Sequence, residues 1–339
     1  MSDIVLTVGI TSYNRVNELK RALESIKCST PEKIEVLVSE DRSPKREEIR
    51  EMVAKFAETS VFKVVFNSNE VNQGYDRNLK KIILLASGRY VFFLSDDDCL
   101  YPESIDVVLN CIENEANNAA VLYGPFYQEG TKEYRRYYKD SFTIQKGEYN
   151  AAKRISDSIL FSGLIYRKEY VEQIDAEPFL NKNYFQVYMF LHCVYNYGGY
   201  YISTPLIRCV MDGENAYGFS DSADKNPLLM NRKSPLSDLE FNKGLIEVIK
   251  MFDKENGTNT LGIYSKEYNL RTYSGMSIAR RQGRRVLSDF FKKLKGVGIR
   301  INALPYFYYV ILYVFGSKIG DSIMSLPKSV LFKSRNEIR

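Results

Sequence analysis

Apolar and polar residues alternate in blocks over the first 124 positions. Residues 4–11 (IVLTVGIT) are rich in branched side chains and predict a buried strand. Leu19, Ala22, Leu23 and Ile26 follow at i, i+3, i+4 and i+7, one apolar face of a helix. Residues 34–39 (IEVLVS) predict a second strand, residues 46–56 a helix with Pro44 near its start, and residues 61–67 (VFKVVFN) a third strand. Leu79, Ile82, Ile83 and Ala86 again have helical spacing, with Gly88 as a C-terminal stop. A fourth strand, residues 90–95 (YVFFLS), runs into Asp96-Asp97-Asp98; Pro102 opens a helix, and residues 119–123 (AAVLY) read as a further strand.

Strands that alternate with helices predict an α/β fold, a mainly parallel sheet covered by helices on both faces. Ligands of such sheets bind beyond the carboxyl ends of the strands. Polar clusters stand at three of those ends: Thr11-Ser12-Tyr13-Asn14, Glu40-Asp41-Arg42 and the acidic triplet. The pattern then loosens. Residues 124–150 suggest a hairpin, residues 161–171 a strand entering a helix, and residues 184–197 an aromatic, apolar helix ended by Gly198-Gly199. Residues 200–204 read as a short strand, residues 212–235 as a long loop able to act as a lid, and residues 236–252 as a helix.

Composition narrows the function classes. Among 339 residues, 45% are hydrophobic and 26% charged, which excludes general disorder. No apolar run approaches the ~20 residues of a spanning helix, and the start, MSDIVLTVGITSYN, does not read as a signal peptide. Five scattered cysteines without a CxxC pair fit a reducing compartment. The single histidine, His192, excludes multi-histidine metal sites and argues against a Ser/His/Asp hydrolase. The net charge of +5 is unevenly spread: residues 266–339 hold 15 basic and 4 acidic residues, and residues 1–265 hold 32 and 38. A basic tail attracts a polyanion.

Three adjacent carboxylates repel one another, so a bound cation relieves a real cost. Hard oxygen ligands favour Mg²⁺ or Mn²⁺ shared with substrate phosphates, although an acidic turn capping the next helix is the plainer alternative. In Asn72-Gln73-Gly74-Tyr75-Asp76-Arg77-Asn78, a glycine turn, a helix N-terminus and an arginine suit a phosphate. Neither a Walker A loop nor GxGxxG is present. Thr11, Tyr13 and Asp41 have the chemistry to hold a nucleobase, or to make ordinary turns.

Taken in order, TVGITSYNR, VLVSEDRS and NQGYDRNLKKIILLASGRYVFFLSDDDCLYPESI resemble glycosyltransferase family 2, the inverting enzymes of GT-A fold. These pieces cover roughly residues 4–110. The resemblance implies a catalytic domain over residues 1–235, with a nucleotide-binding half at about 1–124 and an acceptor half at about 125–235. Residues 236–339 would form a helical, basic C-terminal region. It places Thr11, Tyr13, Asp41, Arg77 and Asp97 on the nucleotide, and Asp98 with Asp96 on Mn²⁺ or Mg²⁺. Ser95 stands where many relatives have an aspartate. The expected activity is metal-dependent transfer of a sugar from a nucleotide-sugar, UDP-linked by family habit. The acceptor is a saccharide or lipid-linked molecule of bacterial surface polysaccharide or lipopolysaccharide synthesis, at the inner face of the cytoplasmic membrane. The alternatives are a sugar-phosphate nucleotidyltransferase and a non-enzymatic membrane-binding scaffold.

One departure concerns the general base. The family places an acidic pair on a helix before a Gly-rich turn, but residues 183–199 contain no acid, and Phe185 or Gln186 takes that place. Asp157, Asp212 and Glu214 are the other carboxylates, with Asp212 preferred for its position in the presumed lid. In the tail, Arg280, Arg281, Arg284, Arg285, Lys292, Lys293 and Lys295 interleave with Val286, Leu287, Phe290, Phe291 and Leu294 as one basic amphipathic helix, followed by the apolar residues 304–315. An anionic membrane is the expected partner and packing on the catalytic domain the alternative; no pattern for nucleic acid is present.

Overall fold

A computed structural model describes residues 4–116, 119–180, 182–210, 212 and 235–325. The chain divides into two compact units, Met1–Lys225 and Asn226–Arg339.

The first unit opens with β1 (Leu6–Ser12), α1 (Val16–Glu24), β2 (Ile34–Glu40), α2 (Arg46–Thr59), β3 (Lys63–Ser68), α3 (Tyr75–Leu85), β4 (Tyr90–Ser95), β5 (Asp98–Leu100) and α4 (Ser104–Asn110). It continues with β6 (Val121–Tyr123), β7 (Phe126–Gln128), β8 (Glu133–Arg135), β9 (Phe142–Ile144), α5 (Glu148–Lys153), β10 (Leu164–Arg167), α6 (Lys168–Val171), α7 (Phe185–Asn196), β11 (Gly199–Tyr201) and β12 (Ile207–Cys209). Eight strands form one sheet in the order β3-β2-β1-β4-β10-β6-β11-β9. The first four are mutually parallel, and β10 is antiparallel to both its neighbours, β4 and β6. A second sheet has the order β5-β12-β7-β8. The expected α/β architecture is therefore present, and the anticipated hairpin is β7–β8. The antiparallel insertion of β10 and the small second sheet are additions that the hydrophobic pattern does not show.

The core follows the predicted periodicities. Leu6, Val8 and Ile10 of β1 meet the α1 face of Leu19, Ala22 and Leu23, all fully buried. Such side chains contribute roughly 1.5–3 kcal/mol each. On the other face of β1, a Cβ at Gly9 would lie 2.3 Å from Ile82 Cγ2, so a glycine lets α3 close onto the sheet. Glu35 is a buried charge at 0% exposure, accepting hydrogen bonds from Thr7 Oγ1, Ser87 N and Ser87 Oγ and pairing with Lys63 Nζ at 2.6 Å.

The second unit contains α8 (Pro235–Asn256), α9 (Thr260–Arg281), α10 (Arg284–Leu294) and α11 (Ala303–Ser325). The stretch expected as one basic helix is divided between two, with Arg280 and Arg281 ending α9 and Arg284 opening α10. The α11 segment is broken at Gly316, whose φ of 80° lies in the left-handed region. Among the described residues no helix is long and apolar enough to cross a membrane. Residues 213–234, most of the expected lid and the alternative base Glu214, lie outside the described residues.

Candidate functional site

Strand register brings the polar clusters together. Thr11 pairs with Ser39 of β2 and with Ser95 of β4, and Ser12 pairs with Glu40. The loops leaving β1, β2 and β4 thus start side by side at the carboxyl edge. Two of them contain a non-glycine residue at positive φ, Asn14 at 62° and Arg42 at 53°, conformations that cost about 1–3 kcal/mol and tend to cluster at functional sites.

Asp41 ties the β2 loop to the start of α3. Its N–H donates to Ser12 O at 3.0 Å. Its Oδ1 accepts from Gln73 N at 2.7 Å and Asn69 Nδ2 at 2.8 Å, and Oδ2 accepts from Gly74 N at 2.9 Å. Gly74 adopts φ 77°, which turns the chain into the helix. Burial pushes the Asp41 carboxyl up to about 6, against the lowering effect of these donors. Arg77, one turn on, donates through Nε and Nη2 to the Glu177 carboxylate at 2.8 and 2.7 Å. Asp76 turns the other way and accepts the N–H groups of Asn183 and Phe185, holding the start of α7.

The acidic triplet divides into three environments. Asp96, 3% exposed, accepts from Tyr13 N at 3.2 Å and Arg15 Nη1 at 2.8 Å. Burial raises its pKa to about 7, with Arg15 opposing and Asp97 adding to the rise. Asp97 has the more open carboxylate: its side chain is 15% exposed against 5% for Asp96. It accepts from Ser95 Oγ at 2.5 Å, and Arg15 lies 3.2 Å away. Asp98 begins β5, pairs with Cys209 of β12 and accepts from Val210 N at 3.3 Å, leaving it 2% exposed. Burial, then repulsion from Asp97, raise its pKa to about 6. Asp98, expected with Asp96 on the cation, is recruited into a strand and is as buried as Asp96, while Asp97, expected on the nucleotide, is the most open of the three.

Asp212 lies at this same edge. Arg21 of α1 grips its carboxylate with Nη1 and Nη2 at 2.8 and 2.7 Å, and Nη2 also donates to Asp97 O at 3.2 Å. The Arg21 hydrogen bonds hold the Asp212 carboxyl below its ordinary range. Asp157 is placed differently: it is 8% exposed and accepts the hydroxyls of Tyr123 and Tyr138 at 3.1 and 2.8 Å. Gln186 is 2% exposed, with Nε2 on Ile159 O and an Oε1 that has no partner. Ser12 Oγ and Asn14 Oδ1 also lack partners. His192 stays on α7, 3.4 Å from Asn196 Nδ2.

Sequence reasoning missed Arg15, Arg21 and Asp76. Arg15 precedes α1 and Arg21 lies among its polar positions, and Asp76 sits in the first turn of α3. A basic residue directly after TSYN, Arg15, beside the acids at the end of the neighbouring parallel strand, was the available signal. A separate groove between α1 and α2, lined by Leu23, Met52 and Phe56, contains none of the triplet, Asp41 or Asp212.

Residues 7–175 match a family described as glycosyl transferase family 2. An abequosyltransferase, RfbV, of Salmonella typhimurium is 25% identical over 236 residues, covering 62% of this chain and 68% of that protein. An uncharacterized glycosyltransferase of Haemophilus influenzae is 32% identical over 113 residues, which is 33% of this chain and 36% of the relative's length. Among solved structures, S. aureus TarS 1-349 in complex with UDP-GlcNAc superposes with a TM-score of 0.58 at 16% identity, covering 93% of this chain and 90% of that one. The UDP complex of the same protein gives 0.57 at 16% identity, covering 96% and 92%. At that identity the likeness shows a shared fold.

Proposed function

Because residues 7–175 are a domain of glycosyl transferase family 2, we propose that the protein transfers a sugar from a UDP-linked nucleotide-sugar to a saccharide or lipid-linked acceptor of bacterial surface polysaccharide or lipopolysaccharide assembly. The observation that carries this reading is the convergence of the β1, β2 and β4 loops: Tyr13 N–H and Arg15 hold Asp96, Arg15 also lies on Asp97, and Asp41 N–H is tied to Ser12 O at the end of β1. The TarS complexes with UDP and UDP-GlcNAc and the abequosyltransferase relative support a nucleotide-sugar donor and sugar transfer.

In this reading the Asp41 carboxylate accepts a base N–H, while Thr11 and Tyr13 line the base. The N-terminus of α3 and the Arg77 guanidinium face the diphosphate. Arg77 must leave Glu177 to do so; both side chains are well exposed, 39% and 57%, and water screens such a pair, so it yields readily to a ligand. The oxygen donors of the triplet fit Mn²⁺ or Mg²⁺, held by Asp97 with Asp96 beside it. Among the described residues no three His, Cys, Asp or Glu side chains form a ready cage, so phosphate oxygens complete such a shell. When bound, the cation supplies positive charge to the departing diphosphate. Asp212 is the candidate base: released from Arg21, it takes the acceptor hydroxyl proton. The acceptor oxygen then bonds to the anomeric carbon as the bond to the diphosphate oxygen breaks, on the opposite face.

Isothermal titration with UDP, with and without Mn²⁺, tests this. The expected result is metal-dependent binding that weakens at least about tenfold in Asp97→Asn, the carboxylate that shares the charge. Absence of UDP binding under both conditions sinks the reading, and an unaffected Asp97→Asn sinks the metal assignment.

A further inference from the structure

The two last helices expose a face that glycosyl transfer does not use. From Ala303 to Phe315 the chain has no charged residue. One side of this segment is buried through Tyr308, Ile311 and Leu312, and Tyr308 packs edge-on against Tyr273 of α9 at 5.2 Å. The other side would be polar on an ordinary surface helix. Here Tyr306, Phe307, Val310, Tyr313, Val314 and Phe315 are between 40% and 56% exposed. A contiguous apolar face of this kind marks an interaction site.

The surroundings of the stripe are cationic. On α10, Leu287, Phe290, Phe291 and Leu294 are buried, while Arg284, Arg285, Lys292 and Lys293 are exposed alongside one acid, Asp289. Two cations lie directly on stripe aromatics: Arg284 Cζ is 5.4 Å from the Tyr313 ring centre, and Lys295 Nζ is 5.1 Å from that of Tyr306. Aromatic and aliphatic side chains flanked by basic ones match the chemistry of an anionic lipid surface. Spanning is excluded for this segment. Its helix stops at Gly316, and thirteen helical residues reach about 20 Å against a hydrocarbon core of about 30 Å. A second copy fits less well, since a two-fold contact through the stripe would bring the flanking cations of both copies together.

We propose that the exposed face of α10 and α11 docks on an anionic membrane, with residues 306–315 entering the headgroup boundary and the α10 cations on the phosphates. This docking stands independently of the donor site.

The chain contains no tryptophan, so Phe315→Trp gives a single reporter. The full-length variant is mixed with vesicles of phosphatidylcholine alone or with phosphatidylglycerol. The expected result is a blue-shifted emission and co-flotation with phosphatidylglycerol vesicles, both declining as salt rises. Adding Val310→Asp and Val314→Asp should weaken flotation by roughly tenfold or more while cooperative thermal unfolding persists, since both positions are exposed. Arg284→Glu with Lys295→Glu should remove the preference for phosphatidylglycerol. An unshifted emission with both vesicles, or flotation unchanged by the two aspartates, overturns the proposal. So does a dimer in sedimentation that the aspartates disperse.

Discussion

Asp41→Asn separates what Asp41 does for the fold from what it does for a ligand. Burial raises the folded-state carboxyl from 3.8 to about 6. A folded pKa above the unfolded one means that the contribution to stability is complete below about pH 3.8 and is lost as pH climbs through about 6. At 1.36 kcal/mol per unit, the loss between about pH 4 and about pH 7.5 is about 2 kcal/mol. Asparagine does not titrate. It can keep its oxygen on Gln73 N and Asn69, but its amide nitrogen then faces Gly74 N–H, donor against donor. That mismatch costs about 1–3 kcal/mol. The variant should therefore be less stable than wild type by about that amount near pH 4, and close to level with it near pH 7.5. Urea unfolding at both pH values reads this difference, and UDP titration at the higher pH reads the ligand. The variant should bind UDP at least about tenfold more weakly, because an acceptor has become a donor. Parallel stability profiles for the two proteins would refute the buried-carboxylate reasoning, whatever happens to the nucleotide.

Two further outcomes follow from charges elsewhere in the domain. Glu35→Gln should destabilise the fold by about 2–4 kcal/mol in urea unfolding near pH 7, because Lys63 loses its buried partner and the donors of Ser87 and Thr7 lose charge. Burial alone would raise the Glu35 pKa, but Lys63, Ser87 and Thr7 outweigh it and hold it low, so wild type should also lose this stability as pH falls below about 4.5. Asp212→Asn should leave the melting temperature within about 2 °C, since its pair with Arg21 is 35% and 49% exposed, yet lower kcat by at least about a hundredfold in a donor-to-acceptor assay; a kcat within twofold of wild type removes Asp212 as base.

The layers of the catalytic unit were legible because their causes are local. Buried parallel strands need runs such as IVLTV and YVFFL, and their crossover helices need Leu19, Ala22 and Leu23, or Leu79, Ile82 and Ile83, on one face. What escaped depends on partners far away in sequence. The strand within residues 161–171 was readable, but not that β10 wedges antiparallel between β4 and β6. Asp98 reads as the end of an acidic loop until Cys209, more than a hundred residues on, pairs with it and makes it a strand residue. The basic amphipathic α10 was readable, whereas the exposure of one side of α11 was not: an apolar segment looks the same in sequence whether one of its faces or both are covered.

The site residues divide in the same way. The positions of Asp41 and Asp97 follow from strand ends, so a sequence shows where they lie. Their orientations follow from Ser95, a near neighbour in the chain, and from Gln73, Gly74 and Arg15, which only folding brings near. At those loops the local rules also give way. Asn14, Arg42 and Asn183 hold positive φ without being glycine, and Ser12 Oγ, Asn14 Oδ1 and Gln186 Oε1 are buried without partners. Each is a cost of about 1–3 kcal/mol that a stability-optimised α/β domain would avoid. Several of them lie beside the carboxyl ends of β1 and β2 or at the start of α7, which Asp76 ties to α3. Sequence patterns report what favours folding, so they thin out where the chain accepts strain and unmet polar atoms. Under the proposed function, a ligand that hydrogen-bonds to those atoms offsets part of this cost on binding.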